Sequence, residues 1–137
     1  MRFMLLTMIY IAALMGCSSA TTQKSDAPLA LQNLGLNRIS YIDRAPDRVH
    51  QDNGNVRYEY DCAEDADTIG KYLQSFARTN SLIKEFHVAR DGTKVAWMFT
   101  VPADSRVEIL VVGGGPRRSQ TNRSEIILNV QGVDAPK

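Results

Sequence analysis

The chemistry open to this chain rests on few groups: Cys17 and Cys62, His50 and His87, and the run Gly113-Gly114-Gly115-Pro116-Arg117-Arg118. A thiol near a helix N-terminus is acidified, and a histidine within reach can take its proton, which makes a nucleophile. Cys62 stands beside Asp61 where a helical pattern begins, and 24 residues separate it from His87. The acids Asp61, Glu64, Asp65 and Asp67 oppose that activation, because nearby negative charge raises a thiol's pKa. They suit the positive end of a helix macrodipole better. The expected state of Cys62 is therefore a small buried hydrophobe, and no enzymatic activity is expected. His50, His87 and Cys62 follow none of the spacings that structural zinc requires, so neither a metal nor a cofactor is expected.

Exposed amides of a glycine run beside two guanidinium groups can hold phosphate or carboxylate. The run lacks the following helix and the Lys-Ser/Thr of a nucleotide-binding loop. At eleven residues, Gly113 to Arg123 is a long connection, either a plain flexible one or a contact loop. In the second case Arg117, Arg118 and Arg123 are the candidate partner-binding residues, suited to an acidic protein, lipid A phosphates or glycan carboxylates.

Cys17 belongs to a different chemistry. Met1-Arg2 leads into the apolar run Phe3 to Leu14 and then Leu14-Met15-Gly16-Cys17. One positive charge, about 12 apolar residues and a small residue before the cut make a secretory signal, too short for a membrane span of about 20. Leu14-Met15-Gly16-Cys17 resembles the lipobox of bacterial lipoproteins. The resemblance implies cleavage before Cys17 and several acyl chains on Cys17 that hold the chain at the membrane. Residue two of the mature chain is Ser18, not the aspartate that resembles an inner-membrane retention signal, so the implied address is the periplasmic face of the outer membrane.

Asp61-Cys62 followed by His87-Val88 is similar to a motif of peptidoglycan-cutting cysteine peptidases, which open a helix with Asp-Cys-Ser-Gly. Here Ala63-Glu64 replaces Ser-Gly, and no third polar residue follows the histidine as in that family. Small lipoprotein inhibitors of lysozyme resemble the chain in size and anchoring, but usually carry a disulfide. With Cys17 lipidated, Cys62 is the one thiol left, and an internal disulfide cannot form.

Of 16 Lys and Arg, Arg2 leaves with the signal, so 15 remain against 15 Asp and Glu. A balanced chain has no global field to draw nucleic acid. Residues 1–16 thus read as a signal peptide, 17–36 as the lipidated cysteine and a tether, and 37–137 as one globular domain. Within 17–36, the spacing of Leu29, Leu31, Leu34 and Leu36 also allows a short amphipathic turn lying on the domain or the membrane.

The elements that carry these groups follow from periodicity. Asp91-Gly92 predicts a two-residue hairpin turn that sets Val88 opposite Val95, Phe86 opposite Trp97 and Leu82 opposite Val101. The loop at Pro102-Ala103-Asp104 then sets Phe99 opposite Val107 and Trp97 opposite Ile109. A further strand spans 124–130, Val56 to Tyr60 alternates as another, and Arg38 to Ile42 fits one more. Ala66, Ile69, Tyr72, Leu73, Phe76 and Ala77 recur at helical spacing, with a capping box at Asp61 and Glu64 and a left-handed cap at Asn80. The fold class expected is α+β, one helix on a mainly antiparallel sheet of four to six strands. The second sheet face, with Ile83, Ala96, Met98, Leu110 and Ile127 among charges, is too apolar to be merely solvated. Either a partner covers it, or the N-terminal strands and Leu29 to Leu36 do.

Two classes of function follow: a non-enzymatic lipid-anchored module assisting an envelope complex, such as a secretion or conjugation apparatus or an outer-membrane assembly machine, or a module binding a small ligand or inhibiting a hydrolase; a peptidoglycan peptidase using Cys62 and His87 is a distant third.

Overall fold

The computed structural model describes residues 24–113 and 124–132. Its frame is a six-stranded antiparallel sheet in the order β1-β2-β6-β5-β4-β3. The strands are β1 (Arg48–Asp52), β2 (Asn55–Cys62), β3 (Lys84–Asp91), β4 (Lys94–Thr100), β5 (Val107–Gly113) and β6 (Ser124–Val130). A short helix α1 (Leu29–Asn33) precedes the sheet, and the main helix α2 (Ala66–Thr79) crosses from β2 to β3. The fold is α+β, with α2 packed against the strands.

Each hairpin follows from its turn. Asn53 and Gly54 both take positive φ, 48° and 79°, the requirement of a type I′ turn, and this sets Arg48 opposite Glu59. At the next hairpin only Gly92 is left-handed, at φ 60°, so the central pair is Gly92-Thr93 rather than Asp91-Gly92. One positive φ at the first central position is the type II′ pattern. Trp97 consequently faces Val88, and a bulge between Glu85 and His87 puts Phe86 outside the ladder, where it is 71% exposed. The bulge also exchanges the faces expected of its neighbours: Ile83 is buried and Leu82 only half-buried. Between β4 and β5 the register lies two residues from expectation, pairing Phe99 with Ile109 and Trp97 with Val111. A shift of two preserves the face, so Val95, Trp97, Phe99, Val107, Ile109 and Val111 all enter the core.

Helix α2 begins at Ala66 because Asp65 caps it, its carboxylate accepting the Thr68 N–H at 2.8 Å. The expected capping box at Asp61 does not form, since Asp61 is still in β2. Asn80 ends the helix in an extended conformation, φ −133°, rather than a left-handed one, and its backbone and side-chain N–H groups both donate to Phe76 O. The buried face of α2 is Ala66, Ile69, Gly70 and Leu73. Gly70 lies directly on the indole of Trp97: a Cβ there would stand 2.3 Å from the ring.

The N-terminal segment is part of the domain. Leu31 and Leu36 are fully buried in the core and Ala27 is 5% exposed; the turn left open within the tether is thus folded onto the protein, and the packed part reaches back at least to Ala27. Arg38 to Ile42 is two 3-10 turns instead of a strand. Leu36, Ile39 and Ile42 recur every third residue, the 3-10 period, and all three are buried. This segment lies on the α2 side: Ser40 donates to Tyr72, and the Tyr41 and Tyr72 rings meet edge to face at 5.1 Å. Leu29 to Leu36 therefore does not cover the second sheet face. None of the described helices packs on that face, where Ile127 is nonetheless only 6% exposed.

Candidate functional site

Cys62 and His87 are not brought together. The sheet order places β6, β5 and β4 between their strands, which at about 4.8 Å per strand separates them by roughly 19 Å. Cys62 is the last residue of β2, buried on the core face, while His87 is exposed on the opposite face across from Met98. Burial pushes the Cys62 thiol pKa up, and Glu64, Asp47 and Asp61 add to this against the opposing charge of Arg44. A cleft of about 250 Å³ lies beside it, lined by Ser40, Tyr41, Arg44 and Glu64 among others. Tyr41 donates to Glu64, and burial together with that bond raises its pKa to about 12. The thiol thus sits where its protonated form is favoured. No group of three or more potential metal ligands converges among the described residues.

The densest polar constellation was not read from the sequence. On the uncovered face, Glu59 is 7% exposed and receives two guanidinium groups, Arg48 Nε at 2.7 Å and Arg57 Nε at 2.8 Å, with the imidazole Nε2 of His50 at 3.4 Å. The Arg48 guanidinium also grips Asp61 with two bonds of 2.9 and 2.7 Å and reaches Glu125 at 3.2 Å, bridging three strands. The signal was available: an Asn-Gly turn pairs residues equidistant from it, which puts Arg48 across from Glu59, while Arg57, Glu59 and Asp61 alternate onto one face. Chiefly through Arg48, the Glu59 carboxyl is held below its ordinary value of 4.5, and Arg48 is in turn made harder to deprotonate. These ion pairs strap the edge strand β1 to β2 and β6.

A carboxyl whose folded pKa is depressed stabilises the fold above its unfolded pKa, and that contribution is lost as pH falls through the folded value. Stability is therefore expected to be flat between about pH 5 and 8 and to fall on acidification below about 4.5. In Glu59→Gln this acid limb is expected to be shallower, with lower stability at neutral pH because Arg48 and Arg57 lose their shared anion. Denaturant midpoints at about pH 6.5 and 3.5 for both chains check this; equal acid losses in both would assign the limb to other carboxyls.

At the far end of the sheet a cavity of about 550 Å³ opens across the strand ends, lined by Asp61, Lys94, Ala96, Val112 and Glu125 from the uncovered face and by Arg90 and Val95 from the α2 side. Gly113 and Ser124, at its rim, are the two residues from which segment 114–123 departs. Arg117, Arg118 and Arg123, the lipobox and Cys17 lie outside the described residues. No described helix is long and apolar enough to cross a membrane. Comparisons with protein-family models, curated proteins and solved structures found no match.

Proposed function

We propose that this chain is a non-enzymatic, lipid-anchored periplasmic module of the bacterial outer membrane that serves as an accessory or assembly subunit of an envelope complex. The observation that carries the partner-binding part is the uncovered sheet face. Ala96, Met98, Leu110 and Val112 form a half-buried apolar centre there, bordered by the Arg48–Glu59–Asp61 network. A surface of this composition is typical of protein contact. The membrane part rests on Leu14-Met15-Gly16-Cys17.

Cys17→Ala is expected to move the protein from the membrane to the soluble fraction as an intact domain, because residue 17 precedes Ala27, the first buried position among the described residues. Retention in the membrane fraction would overturn the anchor. Crosslinking of membranes followed by mass spectrometry, comparing the unaltered chain with Met98→Asp/Leu110→Asp and with Arg117→Ala/Arg118→Ala/Arg123→Ala, is expected to return a fixed set of envelope proteins. The face variant should lose them; the arginine variant should lose them only if segment 113–123 contributes. The cavity beside Gly113 favours a second reading, a ligand-binding or hydrolase-inhibiting lipoprotein, which capture of a soluble hydrolase instead would support.

A further inference from the structure

Strand β3 closes one side of the sheet, and among the described residues its outer edge has no strand against it. Such an edge is a template for another strand. Its sequence, Lys84-Glu85-Phe86-His87-Val88-Ala89-Arg90-Asp91, carries a charge order that reverses sign from one end to the other. In antiparallel pairing, residues directly opposite must share a face. With Phe86 outside the ladder, Lys84, His87, Ala89 and Asp91 lie on the uncovered face, and Glu85, Val88 and Arg90 on the α2 face. Two bonds support that division: Glu85 accepts from Gln74 of α2, and Arg90 pairs with Asp67 of α2.

We infer that β3 pairs antiparallel with β3 of a second copy of this chain about a two-fold axis through Val88. In that register Val88 meets Val88 of the second copy, His87 meets Ala89, Glu85 meets Arg90 and Lys84 meets Asp91. Every pair shares a face, and the four outer pairs join opposite charges. An axis through His87 or Ala89 shortens the ladder and loses the Lys84–Asp91 and Glu85–Arg90 pairs. The bulge thus selects one register, as a device that pins strand pairing. Lys84 and Asp91 have no ion pair within the protomer among the described residues, so both are available. The pairing is independent of lipid on Cys17 and of the uncovered face.

Cells expressing the full chain with Val88→Cys are treated with a diffusible oxidant, and dimer is read on a non-reducing gel. Opposed Cα atoms in an antiparallel pair stand about 4.5–5.5 Å apart, within disulfide range. Dimer is expected well above the background that Cys62 gives in the unaltered chain, and not from Val49→Cys on the opposite edge. Adding Lys84→Asp turns two attractive pairs into two repulsive ones and is expected to weaken association about tenfold; Asp91→Lys on top should restore it. Sedimentation of the detergent-solubilised chain without introduced cysteines should give twice the protomer mass, and at the same concentration a lower average mass for Lys84→Asp. Background yield from Val88→Cys, equal yield from Val49→Cys, a monomer in sedimentation, or indifference to the charge swap would each overturn the pairing.

Discussion

Gly70→Ala is expected to cost about 1–3 kcal/mol, the usual range for overpacking, against the sign that helix propensity predicts. In an exposed helix interior the same change gains about 1 kcal/mol, since glycine pays more backbone entropy than alanine. Here the added Cβ would stand 2.3 Å from three atoms of the Trp97 indole. That ring cannot step aside cheaply. It is stacked on Phe99 with planes 6° apart, and its N–H donates to Asp67 Oδ1 at 3.1 Å. Either α2 lifts from the sheet or the indole leaves its rotamer. Equilibrium denaturation of both chains decides; an unchanged or raised stability would mean that α2 does not rest on Trp97.

Trp97→Ala is expected to cost about 3–5 kcal/mol, the range for removing a large aromatic from a core. Trp97 is 5% exposed at the centre of β4, under α2, and its loss removes the Phe99 stack and one of the bonds on Asp67. Arg90 still holds that carboxylate with two bonds of 3.0 and 2.7 Å, so the damage is mainly a cavity. The two substitutions are coupled because they act on one contact. In the Trp97→Ala background the space above β4 is open, and Gly70→Ala should regain its ordinary stabilising sign. A Trp97→Ala loss under about 1 kcal/mol in denaturant titration would place the buried face on the wrong side of the sheet.

The faces of β4, β5 and β6 were legible because period-two alternation survives any register error of two residues, and the hairpin and loop after β4 were both misplaced by two. What alternation cannot reveal is an inserted residue. The bulge at Phe86 changes parity within one strand, and so Ile83, not Leu82, turns inward. Asp-Gly marks a turn but leaves open whether the glycine is its first or second central residue; the geometry around Gly92 takes the first. The helix start was read four residues early, since Asp61, Glu64 and Asp65 all have capping chemistry and only the end of β2 decides among them. Leu29 to Leu36 was obscured by the small polar residues before it, and its burial arises from tertiary packing that a five-residue helix cannot announce. Cys62 and His87 looked like partners only in one dimension, because sheet order, which local pattern does not contain, sets three strands between them.

The position of β6 bears on how the molecule comes into being. It is the last described strand in sequence and an interior one in space, joining β2 on one side to β5 on the other. Everything before it makes only two separate pieces, the β1–β2 hairpin and the β3–β4–β5 meander, each with one raw margin. A ribosome or a secretion channel delivers the chain from its N-terminus, so the keystone arrives after both pieces. The seam it closes joins residues as far apart as Val56 and Val130, and the core common to both halves exists only from that moment. An emerging chain therefore cannot complete its sheet until residues 124–130 have been delivered.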